Sequence, residues 1–166
     1  MVRFEPLQLD NFQVDLVNVH LVHARYLDTE EPRHEPRTLS EEVPIGLQMA
    51  FDRPASDELT IALTVRIEVE RPYRIEVTYA GHFVMSAEVE EANRDVTWRR
   101  TATELAPIVL YPYIRELVTS LTRRGRAEPF VLPILSFAGL RNEEITIPPA
   151  PHADQLSLEA QDRKAL

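Results

Sequence analysis

The 166-residue chain is long enough for one domain with a substantial core, and its 44% hydrophobic content is ordinary for a globular protein. It has no cysteine, which rules out disulfides, thiolate metal ligands and a cysteine nucleophile, and its net charge of −9, with Lys164 the single lysine, disfavours nucleic acid and anionic membranes as partners. No apolar run is long enough to cross a bilayer and the N-terminus lacks a signal-peptide core, so a cytoplasmic location is expected.

In chain order, Phe12, Val14 and Leu16 begin a period-two strand. The apolar phase then slips to Val17, Val19 and Leu21, which implies a bulge near Leu16-Val17, because an uncorrected slip would turn the whole row outward. Residues 28–44 are rich in Asp, Glu, Pro and Arg and read as an exposed loop. Ile45, Leu47, Met49 and Phe51 form a shorter strand closed by Asp52-Arg53-Pro54. Leu59, Ile61, Leu63, Val65, Ile67 and Val69 alternate with polar or small residues, and Glu70-Arg71-Pro72 turns the chain. The alternation resumes at Tyr73, Ile75, Val77 and Tyr79 and continues past Gly81 to Phe83 and Met85, predicting an antiparallel hairpin with one wet face. Gly81, set in the apolar row, suggests a bulge or a close approach of another backbone.

From Pro112 onward the spacing predicts an amphipathic helix, with Ile114, Leu117, Val118 and Leu121 on its packing face. Pro107 and Pro112 fix the start of that helix, Arg123 and Arg124 suit the negative end of its dipole, and Gly125 suits a left-handed cap. Beyond it the chain is extended through 130–135. The domain is expected to span 1–147, with 148–166 a Pro-rich break and flexible tail. The fold class is α+β: a four-stranded antiparallel sheet followed by one long amphipathic helix, with little support for a second helix after Leu140. One helix cannot cover the apolar face of such a sheet, so the remainder should meet a second copy, a bound partner, or both.

Catalytic constellations are hard to find. No HExxH, phosphate-binding glycine loop or nucleophile elbow occurs. His20 and His23, three apart on a strand, should face opposite sides and make a poor metal pair. Carboxylate pairs such as Glu30-Glu31 and Glu143-Glu144 lie in polar segments and suit a solvated face. No enzymatic activity, metal or cofactor is expected. The large, adaptable side chains Met49, Phe51, Tyr79, Phe83 and Met85 suit either ordinary core or a promiscuous apolar groove.

The string Leu110-Tyr111-Pro112-Tyr113 with Arg115-Glu116 and Arg124-Gly125 resembles the helix signature of the SecB family of export chaperones. Leu132-Pro133-Ile134 with Phe137 and Leu140 is similar to the family's post-helix segment. Ile75-Glu76-Val77 and Ala80-Gly81-His82-Phe83 are similar to its fourth strand, and Leu47, Met49 and Phe51 to its second. The resemblance implies an ATP-independent holdase for protein export, forming homotetramers that keep precursors unfolded in apolar grooves and pass them to the SecA motor. It places client contacts at Leu47, Met49, Phe51, Tyr79, Phe83 and Met85, and SecA-type docking at Glu76 and Glu68. Ile114, Leu117, Val118 and Leu121 would serve helix packing and oligomerisation. Two departures stand out: Arg74 replaces an apolar residue of the docking surface, and His82 replaces an apolar groove residue. The wording Tyr111-Pro112-Tyr113-Ile114-Arg115-Glu116 is closest to SecB-like chaperones of toxin–antitoxin systems, whose client is an antitoxin. Outside this class, an apolar-ligand-binding module or a structural oligomerisation domain would use the same sheet face.

Overall fold

The computed structural model describes residues 7–9, 13–28, 45–68, 73–125, 129–135, 137 and 147–148. Phe12, residues 29–44, Val69 with the turn expected at Glu70-Arg71-Pro72, residues 138–146 and the residues from 149 onward lie outside them, as do the expectations made there. Four long strands, β2 (Val14–Asp28), β3 (Ile45–Ala55), β4 (Glu58–Glu68) and β5 (Tyr73–Met85), form an antiparallel sheet with a three-residue edge strand, β1 (Leu7–Leu9). The order is β1-β2-β5-β4-β3, which puts the β4–β5 hairpin at the centre. That follows from the sequence, because the longest uninterrupted alternations belong to β4 and β5, each flanked by a long strand on both sides.

The register divides the sheet into two unlike faces. Ile61 pairs with Gly81, Leu63 with Tyr79, Val65 with Val77 and Ile67 with Ile75, so the apolar rows share the inner face. β2 keeps its apolar residues on that face by two register breaks, between Leu16 and Asn18 and between Leu21 and His23. The first is the expected bulge. The second has a consequence the spacing alone conceals. With an extra residue at Val22, His20 (opposite Ala80) and His23 (opposite Thr78) both project from the outer face, not from opposite faces. Among the described residues no group of three His, Asp or Glu side chains could hold a metal ion.

The helical cover is longer than the sequence suggests. A short 3₁₀ turn (Glu91–Asn93) leads into α1 (Arg94–Arg100), a π-helical segment (Thr101–Leu105) and α2 (Ala106–Thr122), with no intervening loop. Pro112 is therefore inside α2, not in its first turn, while Pro107 lies near the junction with the π segment. A proline has no N–H to give the preceding turn, and a widened turn before it relieves the steric conflict. Around this junction the threonine hydroxyls turn inward along the helix: Thr101 donates to the Thr97 carbonyl and Thr103 to the Arg99 carbonyl, both at 2.9 Å. Gly125 takes no left-handed conformation. The helix instead tightens at its end, where Arg124 N–H donates to Leu121 O and Gly125 N–H to Thr122 O.

The core forms where this helical run lies over the sheet's centre. Trp98, Ala102, Leu105, Ala106, Leu110, Ile114 and Val118 are buried against Leu59, Ile61, Val65, Val77 and Phe83. Gly81 marks the closest approach. A Cβ there would stand 2.9 Å from Phe83 Cε2 and 3.2 Å from Leu110 Cδ2, so the glycine makes room for side chains of the core, not for a bulge or a neighbouring backbone. At the far end, Trp98 Nε1 donates to Ser56 O at 3.3 Å and Arg53 donates to the same carbonyl at 3.2 Å, tying the β3–β4 turn beneath α1. No helix among the described residues is long and apolar enough to cross a membrane.

Candidate functional site

α2 packs mainly on β5 and β4, and burial fades from these strands toward both sides of the sheet. Ile61, Leu63 and Val65 of β4 are buried, yet their register partners on β3 are Phe51, Met49 and Leu47, of which the first two are half-buried and Leu47 is 43% exposed. The same decay occurs toward β2. Tyr79 lies between buried Leu63 on one side and Leu21, 46% exposed, on the other. The inner sheet face thus extends past the helix along two apolar flanks.

The β2 flank carries an aromatic pair. Tyr113 of α2 stacks on Tyr79 with ring centroids 5.7 Å apart and planes at 30°, and Tyr113 remains 46% exposed. Ile108, on the same helix, and Val96, on α1, are also open to solvent. After the helix, the chain doubles back along α2 through 129–135 and is fastened by side chains of the Tyr-Pro-Tyr-x-Arg-Glu string. Tyr111 Oη donates to Pro133 O at 2.8 Å, and Arg115 Nε donates to Leu132 O at 2.9 Å. Two turns further, the buried Thr122 hydroxyl accepts from Phe130 N–H at 3.0 Å and lies 3.2 Å from Phe130 O. Tyr111, Arg115 and Thr122 fall on one side of α2 at helical spacing, which gives the string a structural reason. Burial raises the Tyr111 phenol's pKa above 10.0, opposed by the nearby Arg115 cation. The fastening seats Leu132 in the core and leaves Val131 and Ile134 exposed beside the helix.

Of the six residues expected to contact clients, the structure brings Leu47, Met49 and Phe51 together on the β3 flank and puts Tyr79 at the β2 flank. Phe83 and Met85 do not belong with them. They are 0% and 4% exposed, because the helical run extends back to Arg94 and covers the end of β5 that a shorter helix would have left open. Of the helix-packing set, Ile114 and Val118 are fully buried, whereas Leu117 and Leu121 are half-buried at the margin. Residues that sequence reasoning missed are Leu21, Tyr113, Ile108, Val131 and Ile134. The only available signal was the aromatic Tyr113 in the helix string; the others gain importance from where the helix stops covering the sheet.

The outer face is polar. Thr64 and Thr78 share a 2.8 Å hydrogen bond across β4 and β5, and His82 Nδ1 lies 3.2 Å from Thr60 Oγ1. Glu76, expected to dock a basic partner, is flanked in register by Arg25 and Arg66 and forms an ion pair with Arg66 at 3.2 Å. Glu68 pairs with Arg74 in the backbone register. A carboxylate already bracketed by two guanidiniums is poorly placed to attract a further cation.

Residues 17–146 match the family described as SecB, preprotein translocase subunit SecB. The chain is 27% identical over 100 residues to the protein-export protein SecB of Methylococcus capsulatus, covering 57% of this chain and 61% of the relative. It is 29% identical over 109 residues to protein-export protein SecB 1 of Gluconobacter oxydans, covering 60% and 62% respectively. The chain thus spans about three fifths of the length of the curated relatives it matches. Among solved structures, the Mycobacterium tuberculosis Rv1957 SecB-like chaperone, in complex with a ChAD peptide from the Rv1956 HigA1 antitoxin, shares the fold. Its TM-score is 0.59 at 20% identity, covering 76% of this chain and 90% of that one.

Proposed function

The chain belongs to the SecB family, and from that premise we propose that it is a non-enzymatic, ATP-independent holdase, binding unfolded or aggregation-prone polypeptide along the apolar flanks of its inner sheet face. The observation that carries this reading is the decay of burial across the sheet. Leu21, Leu47 and Tyr113 remain exposed beside half-buried Met49, Phe51 and Tyr79, on a face whose centre is completely buried. An apolar client side chain settling on such a flank gains roughly 1.5–3 kcal/mol when fully buried, and ordering the client offsets much of it. Single segments therefore bind weakly, and affinity grows when several flanks act on one client. A homo-oligomer, a tetramer in the family's manner, would provide them, and the exposed Ile108 and Val96 on the helices supply apolar surface for assembly. The clients would be export precursors in the cytoplasm. Suppression of aggregation of a denatured substrate without nucleotide tests the proposal, and no suppression at stoichiometric protein refutes it. Light scattering should give a mass well above the 19.1 kDa chain.

A second reading within the same class is a dedicated chaperone of a toxin–antitoxin pair. It is supported by the helix wording Tyr111-Pro112-Tyr113-Ile114-Arg115-Glu116 and by the antitoxin peptide in the complex of the M. tuberculosis SecB-like protein. Protection of an unstable antitoxin but not of denatured export precursors would select it. Docking of a basic SecA-type tail at Glu76 finds no support in the geometry, given the arginines on either side.

A further inference from the structure

The outer sheet face carries a basic cleft on a chain whose net charge is −9. Arg25, Glu76 and Arg66 form one row across β2, β5 and β4. Arg74 stands two residues from Glu76 on β5, hence on the same face, with Leu27 and Glu68 as its register partners. Arg25, Leu27, Arg66, Arg74 and Glu76 line a cleft of about 200 Å³ together with Ile67 and Ile75. Arg66 is paired with Glu76 at 3.2 Å, and Arg25 flanks the same carboxylate in register. Three guanidiniums and one carboxylate thus line the cleft, an excess of positive charge beside an exposed Leu27.

We propose that this cleft docks an acidic segment of a partner polypeptide. A guanidinium presents a planar fork of donors that matches a carboxylate, and pairing with a ligand relieves the repulsion among the three arginines. Neighbouring strands are about 4.8 Å apart and alternate residues of one strand about 7 Å apart. Carboxylates on alternate residues of an extended peptide have that same spacing, and Leu27 offers apolar contact to a side chain next to them. A nucleic acid strand fits less well, because its phosphates would continue beyond the cleft onto a surface that carries the chain's excess of acid. The overall negative charge does not cancel the site, since charges more than about 8 Å away are screened at physiological salt. The proposal goes beyond the holdase reading and does not depend on it, because the cleft lies on the face opposite the helices and apolar flanks.

The test is fluorescence anisotropy of labelled hexaglutamate titrated with the full-length protein at roughly 50 mM salt, with hexalysine, inorganic phosphate and single-stranded DNA as competing probes. Hexaglutamate should bind, unlabelled hexaglutamate should displace it, and hexalysine should not. Arg25→Glu/Arg74→Glu should weaken binding at least tenfold while leaving circular dichroism and the oligomeric state unchanged, since both side chains are exposed. Glu76→Gln should tighten binding, because it frees Arg66 and removes the competing carboxylate. No binding up to millimolar protein, affinity unaffected by the double reversal, or displacement by phosphate or DNA as effective as by hexaglutamate would each overturn the proposal.

Discussion

Thr122 provides a sharp test of how the post-helix segment is held. The side chain is fully buried, and its hydroxyl donates to Val118 O at 2.9 Å while accepting from Phe130 N–H at 3.0 Å. Thr122→Val keeps the shape and branching and deletes only these bonds. The Val118 carbonyl retains its helical partner, so losing the donor costs little. The Phe130 N–H loses its 3.0 Å acceptor, and leaving a donor unsatisfied away from water costs about 1–3 kcal/mol. Burying a methyl instead of a hydroxyl returns up to about 1 kcal/mol, for a net loss of up to about 2 kcal/mol when that return is complete. In a chain of this size that lowers the melting temperature by up to roughly 8 °C. Thr119→Val is the control, because the partly exposed Thr119 hydroxyl bonds only Arg115 O within its own helix. Both variants are compared by urea titration at one protein concentration, with hydrogen exchange reporting on the Phe130 amide. If Thr122→Val and Thr119→Val are equally stable and Phe130 stays protected in both, the hydroxyl is not the fastening and the reasoning fails.

Three further outcomes follow from the same packing. Gly81→Ala gains about 0.5–1 kcal/mol of intrinsic strand preference, but its Cβ meets Phe83 and Leu110 at 2.9 and 3.2 Å, a conflict of about 1–3 kcal/mol; calorimetry should show net destabilisation, and a rise in melting temperature would refute the close approach. Phe83→Ala should cost about 3–5 kcal/mol of stability, whereas Leu47→Ser should leave stability within about 1 kcal/mol and weaken capture of an unfolded client; equal loss of stability in both would place Leu47 in the core. The folded state holds the Tyr111 proton more tightly than the unfolded chain, because burial raises its pKa. Its contribution is therefore complete below the unfolded pKa near 10 and lost as pH rises through the higher folded value; Tyr111→Phe, though less stable at pH 8, should lose less than the parent protein between pH 8 and pH 11.

The strands were legible wherever one face is wet and the other buried. β5 begins at Tyr73 and ends at Met85, as the alternation requires, and the slip after Leu16 appears as a bulge. The second bulge, at Val22, was hidden because Leu21-Val22-His23-Ala24 reads equally well in either phase, and only pairing with Tyr79 and Thr78 decides it. The helix was legible from Ile114 onward and illegible before. Its earlier buried face consists of Trp98, Thr101, Ala102 and Leu105, in which small and β-branched residues dilute the apolar period and threonine lowers helix propensity. Such residues are buried because the helix lies close to the sheet, a tertiary fact that no local pattern announces.

That same closeness decides where each residue of the expected groove lies: Leu47, Met49, Phe51 and Tyr79 on the flanks, Phe83 and Met85 in the core. An apolar residue on the inner face is core or surface according to its distance from the helix, and period-two patterning is blind to distance. Phe83 and Leu47 occupy equivalent phases of their strands, yet one is sealed by Leu110 and the other lies on an edge strand that α2 does not cover. Lengthening the helical run toward Arg94 closes the end of β5, whereas α2 packs mainly on β5 and β4 and leaves β2 and β3 partly open among the described residues. Under the proposed holdase reading, a client or a second copy on those flanks would complete a burial that stops short among the described residues. The outer face, with its paired threonines and row of arginines, remains free for a partner of a different chemistry.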